Sequence, residues 1–285
     1  MNKVQMREQL VSFYKEDVGT GDLSVESIFP EEMTGELTLI AKDTGIFCGK
    51  MVIEEGFKLE GTSVTIGYCR NDGETITAGE TVATIQGPIR TLLTCERLVL
   101  NLIQRMSAIA TKTNHLIQLM GETNTRLADT RKTAPGLRMF DKYAVKVGGG
   151  HNHRFGLYDA IMLKDNHIAF SGSITEAVNK ARDYVGRSED AWKVEIETEE
   201  QLDEAIQAEP NIIMFDNCTP EQIAEWLPKV PKSIATEASG MITEETIRAY
   251  SETGVDYISV GALTHSVRVF DMSAVVKMKT MEETS

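Results

Sequence analysis

From about residue 125 onward the chain alternates short apolar runs with amphipathic stretches, and this alternation constrains the fold more than any other feature. The apolar runs are TRLADT (125–130), AIMLK (160–164), KVEIE (193–197), NIIMFD (211–216), SIATE (233–237) and VDYISVG (255–261). Between them lie segments of helical periodicity, among them SITEAVNKARDYV (173–185), EEQLDEAIQA (199–208), PEQIAEWLPKV (220–230) and EETIRAYSE (244–252). Strands separated by helices pair in parallel, because a tight hairpin turn cannot join them. Six such units without an adjacent hairpin predict an open relative of the eight-stranded α/β barrel.

The upstream half has a different grammar. Residues 1 to 16 have helical apolar spacing, and EDVGTGDLS (16–24) then breaks into a loop. ELTLIAK (36–42), SVTIGYC (63–69) and NDGETITAGETVATIQG (71–87) alternate with a period of two between glycine turns, which predicts a small sheet domain. The turn pattern also suits a biotin or lipoyl carrier, but no lysine stands at its hairpin tip. From Arg90 to Met120 apolar residues recur every three or four positions without a proline, so one long helix, or two in succession, is expected to bridge the two regions.

Composition narrows the function classes. A chain of 285 residues that is 41% hydrophobic can bury a full core. No apolar run approaches the roughly 18 residues of a membrane span, and MNKVQMREQL lacks the core of a signal peptide, so a cytoplasmic protein without membrane partners is expected. Cys48, Cys69, Cys95 and Cys218 are widely spaced, which favours reduced, buried thiols over a zinc site or disulfide framework. A net charge of −14 argues against a nucleic-acid partner. Yet between Arg131 and Asp165 seven basic residues stand against three acidic ones, a local basic island suited to a small anion. Lys142 and Lys146, at helical spacing, are read as belonging to a solvated helix face.

Barrels of this kind place their chemistry at the C-terminal ends of the strands. The first run ends in Asp129-Thr130-Arg131-Lys132, the second in Lys164-Asp165-Asn166-His167, and the third carries Glu195. The fourth ends in Asp216-Asn217, the fifth in Glu237-Ala238-Ser239-Gly240, and the sixth in Gly261-Ala262-Leu263-Thr264-His265. Arg131, Lys132, Arg154 and Lys164 suit carboxylates or phosphates, and arginine can grip a planar anion through two parallel hydrogen bonds. Glu195 and Asp216 supply hard oxygens for Mg2+ or ribose hydroxyls. Ser239, Gly240, Gly261 and Ala262 leave backbone N–H groups accessible to a phosphate. In GGGHNHR (148–154), His151 and His153 could instead be metal ligands. His151 and His167 are otherwise read as loop-orienting residues, His115 as solvent-facing, and His265 as either.

DTRKTAPGLR (129–138), KYAVKVGGGHNHRFGLYDAIMLKDNHI (142–168), MFDN (214–217) and GVDYISVGALTHS (254–266) closely resemble the quinolinate phosphoribosyltransferase family, also called carboxylating nicotinate-nucleotide pyrophosphorylases. EDVGTGDLS (16–24) and CERLVLNLIQRMSAIAT (95–111) extend the resemblance over nearly the whole chain. The resemblance implies an N-terminal α/β sandwich of residues 1–105, completed by 269–285, and an open six-stranded α/β barrel over 106–268. It implies transfer of a phosphoribosyl group from phosphoribosyl pyrophosphate to quinolinate with decarboxylation, in NAD biosynthesis, with Mg2+ as cofactor. It implies a homodimer, with higher assembly open. By matching position, Thr130, Arg131, Lys132, His153, Arg154 and Lys164 would surround quinolinate, and Arg97 would enter from the neighbouring subunit. Glu195 and Asp216 would serve the ribose and the metal, with Lys132, Lys164, Glu195 and Asp216 as the catalytic set. Ser239, Gly240, Gly261 and Ala262 would hold the 5-phosphate. Lys193 departs from the family pattern, which has Glu there, and Met241 stands where a second Gly is usual.

Three other readings stay open on the sequence. One is the related phosphoribosyltransferase-like protein associated with molybdate transport, against which KDNHI (164–168) and the intact TRKT (130–133) weigh. The second is a barrel metal hydrolase using His151 and His153, whose neighbours Arg131, Lys132 and Arg154 would repel a dication. The third is a non-catalytic anion sensor, which leaves the pairing of Glu195 with Asp216 unexplained.

Overall fold

Alternation in the sequence becomes alternation in burial. In strand β1 (Thr34–Ala41), Leu37, Leu39 and Ala41 are fully buried while their neighbours are more exposed, as one covered sheet face requires. The computed structural model describes residues 1–185 and 192–278. Before β1 come helices α1 (Lys3–Val18) and α2 (Leu23–Ile28); after it come β2 (Gly45–Ile46), α3 (Lys50–Gly56), β3 (Thr65–Cys69), β4 (Thr75–Ile76) and β5 (Thr81–Pro88). One unbroken helix, α4 (Ile89–Met120), runs for 32 residues. Then follow β6 (Arg126–Ala128), α5 (Arg138–Val147), β7 (Ile161–Leu163), α6 (Asp165–Ser171), α7 (Ile174–Val185), β8 (Trp192–Ile196) and α8 (Glu199–Ala208). The rest comprises β9 (Ile212–Asp216), α9 (Pro220–Trp226), β10 (Ala235–Ser239), α10 (Ile247–Glu252), β11 (Tyr257–Ser259), α11 (Ala262–His265) and β12 (Met272–Met278).

The described residues divide into two compact units: 1–112, 134–149 and 267–278 form the first, and 113–133, 150–185 and 192–266 the second. The first unit holds a four-stranded antiparallel sheet in the order β12-β1-β5-β3. β12, the last strand in the chain, pairs with β1 from Gly35 opposite Met278 to Ala41 opposite Met272. Residues 106–112 and 134–149, which fall within the 106–268 that the resemblance implies for the barrel, group with the first unit. The contacts say why: Asp141 takes two hydrogen bonds from Arg105, each 2.8 Å, Tyr143 donates to Asp72, Gln9 donates to the carbonyl of Gly136, and the Phe140 ring lies 6.2 Å from that of Phe13. Lys142, expected on a solvated face, is only 2% exposed; Lys146 is exposed.

The second unit holds six strands, all parallel, in the order β6-β11-β10-β9-β8-β7. This is the expected two-domain α/β class with an open barrel. Its helices start where the sequence supplies caps. Thr198 and Gln201 make a reciprocal capping box at α8, and Thr219 and Gln222 do the same at α9, with Pro220 in the first turn. Each parallel strand thus hands the chain to a helix at the same end of the sheet, and the residues at those crossings share one mouth.

Candidate active site

A cavity of about 370 Å3 opens at that mouth, and it gathers side chains from every strand end. Thr130, Arg131 and Lys132 follow β6, His153 and Arg154 come from the loop before β7, Lys164 follows β7, Glu195 lies on β8, Asp216 ends β9, and Ser239 ends β10. Met162, Met214 and Ser259 complete its lining; their apolar or neutral type gave no signal in the sequence.

The loop GGGHNHR is fixed by a carboxylate. Asp129 is fully buried; its Oδ1 accepts the backbone N–H of His153 at 2.8 Å and its Oδ2 accepts the Asn152 amide at 2.6 Å. His151 bridges in parallel to Ala128, its N–H donating to Leu127 and its carbonyl accepting from Asp129. The loop therefore runs beside β6 as a short extra strand, and this delivers His153 and Arg154 to the cavity. Of the three glycines, Gly149 takes a positive φ, 96°, where a side chain would be strained.

The cationic side is under-satisfied. Arg154 donates from Nη1 to the carbonyl of Ala160 at 2.9 Å, but its Nε is buried without an acceptor, and so is Nε of Arg131. Burial pushes the Arg154 guanidinium below its usual range, and the charge of Arg131 pushes it the same way. Two guanidinium groups placed so, with Lys132 and Lys164 on the same cavity, suit an anion that can accept from both. On the same cavity, Lys164 donates to Glu195 Oε1 at 2.6 Å. Burial raises Glu195 above the ordinary carboxylate range, Lys164 lowers it, and Asp216 raises it again.

Beneath the cavity is a second polar layer that strand-end reasoning missed. Lys193 and Glu237 are 7% and 2% exposed. Lys193 donates to Glu237 Oε2, Ser259 donates to Glu237 Oε1, and Lys193 Nζ lies 2.8 Å from His153 Nε2. Burial lowers the Lys193 ammonium, and Glu237 pulls it back up. The signal available in the sequence was the unusual lysine in KVEIE; its partner on another strand was not visible.

Of the other candidate residues, Gly240 follows β10, Gly261 precedes α11, and Ala262 is the first residue of α11. Gly240 has φ 89°, and a Cβ there would clash with Asn217 Oδ1; a Cβ on Gly261 would fall 2.9 Å from Lys132 Cδ. Met241 is 81% exposed with φ 50°. Arg97 is not part of this cavity: it lies on α4 in the first unit, its side chain 63% exposed, with Glu96 3.8 Å away. Thr264 donates to the Lys132 carbonyl, and His167 Nδ1 accepts the Lys164 N–H at 3.0 Å, the loop-orienting role expected of it. His115 is about half exposed, near Glu244. His151 is exposed, with its ring 6.3 Å from that of Tyr257. Among the described residues no three His, Cys, Asp or Glu side chains converge as a metal site would need, and His153 Nε2 faces an ammonium group. His151 and His153 do not make a metal centre.

Two family models match. "Quinolinate phosphoribosyl transferase, C-terminal domain" covers residues 109–275, and "Quinolinate phosphoribosyl transferase, N-terminal domain" covers residues 22–107. A Bacillus subtilis relative named "Probable nicotinate-nucleotide pyrophosphorylase (carboxylating)" is 51% identical, over 96% of this chain and 94% of its own. A Mycobacterium leprae nicotinate-nucleotide pyrophosphorylase (carboxylating) is 38% identical, over 90% of this chain and 92% of its own. Among solved structures, NadC from Streptococcus pyogenes superposes with a TM-score of 0.92 at 38% identity, covering 98% of this chain and 99% of that one.

Proposed function

The chain belongs to the quinolinate phosphoribosyltransferase family, and from that premise we infer that it is a carboxylating nicotinate-nucleotide pyrophosphorylase that joins quinolinate to the ribose of phosphoribosyl pyrophosphate in NAD biosynthesis. One observation carries the reading to the site: the buried, acceptor-less Nε groups of Arg131 and Arg154 flank a single cavity of about 370 Å3 that also presents Lys132, Lys164, Glu195 and Asp216. Quinolinate is a planar dicarboxylate, and its two carboxylates are the acceptors those groups lack.

The reaction needs positioning and charge rather than a nucleophile on the protein. The bond from ribose C1 to the pyrophosphate oxygen breaks, that oxygen keeps the electron pair, and the pyridine nitrogen forms the new bond to C1. Arg131, Arg154 and Lys132 hold the dicarboxylate in line, and the Lys164–Glu195 pair with Asp216 lies where positive charge develops on the ribose. Once ribosylated, the ring nitrogen is cationic. The bond to the adjacent carboxylate then breaks, CO2 leaves, and the electron pair stays on the ring carbon until it takes up a proton.

Glu195 and Asp216 are hard oxygen donors, and two carboxylates without a third suit Mg2+ held largely by the substrate's pyrophosphate. Held by Glu195 and Asp216, Mg2+ would supply positive charge against that of the leaving pyrophosphate. The small loops at Ser239–Gly240 and Gly261–Ala262 are the proposed 5-phosphate holders. Arg97, exposed on α4, is the residue a second copy would lend to this site in a homodimer. Cytoplasmic operation accords with four cysteines that are all free.

The test is release of CO2 from carboxyl-labelled quinolinate. Release that requires phosphoribosyl pyrophosphate and Mg2+ is expected; none with either substrate pair complete overturns the reading. Mixing Arg97→Ala with Lys164→Ala, each inactive alone, should regain activity through mixed dimers that carry one intact site, and no regain would remove Arg97 from it.

A further inference from the structure

β8 presents two charged residues on one face. Glu195 and Lys193 are two positions apart, so the pleat points both toward the barrel interior, one at the cavity and one a layer deeper. The deeper one does not touch the cavity. Lys193 lies instead against Glu237 from β10 and His153 from the loop, with Glu195 and Arg154 as its other charged neighbours. Ser259 on β11 holds the second oxygen of Glu237. His153 and Arg154 are shared between the anion cavity and a second cavity of about 260 Å3, whose wall includes Lys193 and Glu237. The ion pair is thus the polar core of a partition, and the residues expected to meet quinolinate form its other face.

A carboxylate in such a partition repels a dianion on the far side. At an effective dielectric near 20, a unit charge on the order of 8 Å away changes the binding of another charge by more than about tenfold. Lys193 cancels that charge, and the same ammonium group orients the ring of His153 through Nε2. We propose that Lys193 is a positioning residue for the dicarboxylate substrate: paired with Glu237, it keeps the wall beneath the anion cavity neutral and holds His153 in its place. The proposal rests on the reading that this cavity takes quinolinate.

A double-mutant cycle tests it, with Lys193→Met, Glu237→Gln and the two combined. Quinolinate binding is read by calorimetry and both Michaelis constants by CO2 release. Lys193→Met leaves Glu237 uncompensated, so the quinolinate Kd and KM should rise about tenfold or more, with the KM for phosphoribosyl pyrophosphate within about twofold. Glu237→Gln removes the repelling charge and should bind quinolinate as well as the unaltered chain or better. The combined variant is neutral again and should return to within about threefold of the unaltered Kd. Lys193→Gln replaces the methionine variant if that one does not accumulate folded. An unchanged quinolinate Kd in Lys193→Met, a combined variant no better than Lys193→Met, or an equal rise in both KM values overturns the proposal. If the unaltered chain binds quinolinate but releases no CO2, the functional reading falls while the Kd cycle still decides the role of Lys193; if it does not bind quinolinate, both fall.

Discussion

Arg105, in the first unit, donates from Nε and Nη2 to the two oxygens of Asp141, each at 2.8 Å, and Asp141 is fully buried. Arg131 and Arg154, in the barrel unit, each keep a buried Nε without an acceptor, and they lie close enough for one charge to disfavour the other. The same side chain serves two ends. The first setting is closed within the protein, so its energy goes into the fold. The second is left open, so its energy is released only when an anion arrives.

Removing each arginine separates the two settings. Arg105→Ala should cost the most stability, on the order of 3–5 kcal/mol, because it leaves the buried Asp141 carboxylate alone. A urea unfolding series checks this, and a midpoint unchanged from the parent would break the comparison from its closed side. Arg131→Ala should leave that midpoint unmoved or slightly raised while lowering kcat/KM for quinolinate by roughly 10- to 150-fold, the loss of about 1.5–3 kcal/mol of charge-assisted hydrogen bonding. If Arg131→Ala instead unfolds the protein with turnover per folded molecule intact, its role is structural.

The Lys164–Glu195 pair stands between these extremes. Lys164 is 42% exposed and Glu195 11%. Lys164→Gln should shift stability by less than about 1 kcal/mol, as solvent-screened pairs do, yet lower turnover at least about tenfold, as loss of a group at the reacting centre does. A melt combined with the CO2 assay reads both, and a large stability loss without a kinetic one would move this pair to the closed class.

The smallest effect concerns protons in the first unit. Burial pushes the thiol of Cys95 up to about 12, and the nearby Glu60 adds to the rise. An acid whose proton is held more tightly in the folded state loses stability as pH rises, because the unfolded chain ionises first, from about pH 8.5 upward. Urea midpoints should therefore fall between pH 8 and pH 10, and Cys95→Ala should flatten part of that fall. Native protein at pH 8 should alkylate at Cys95 far more slowly than denatured protein; equal rates would contradict the burial.

The barrel was legible in the sequence because period and punctuation are local: six apolar runs, amphipathic stretches between them, and a charged or small residue after each run. Its mouth was legible for the same reason, since parallel strands deliver their ends together. Lys142 departs from expectation because charge predicts solvent, whereas which face of α5 is covered depends on elements distant in sequence, such as α1, whose Phe13 ring lies 6.2 Å from that of Phe140. Helix α5 falls inside the continuous range that the resemblance implies for the barrel; the pairing of Arg105 with Asp141 that ties it to the first unit spans 36 residues and leaves no local mark. Glu237 was seen as a strand end but not as the partner of Lys193, since cross-strand pairs depend on a register that no single run encodes.

The first sheet ends with β12, which pairs along β1 over seven positions. In chain order β1 precedes every barrel strand, and β12, one of its two neighbours, follows all of them. A nascent chain therefore exposes one edge of that sheet throughout synthesis of the barrel. During that interval the edge offers unpaired backbone groups to chaperones or to other emerging chains. In the barrel, by contrast, β7 to β10 each pair with the next strand in the chain and can join as they appear, while β6 waits for β11, so the barrel sheet is expected to be complete before β12 arrives.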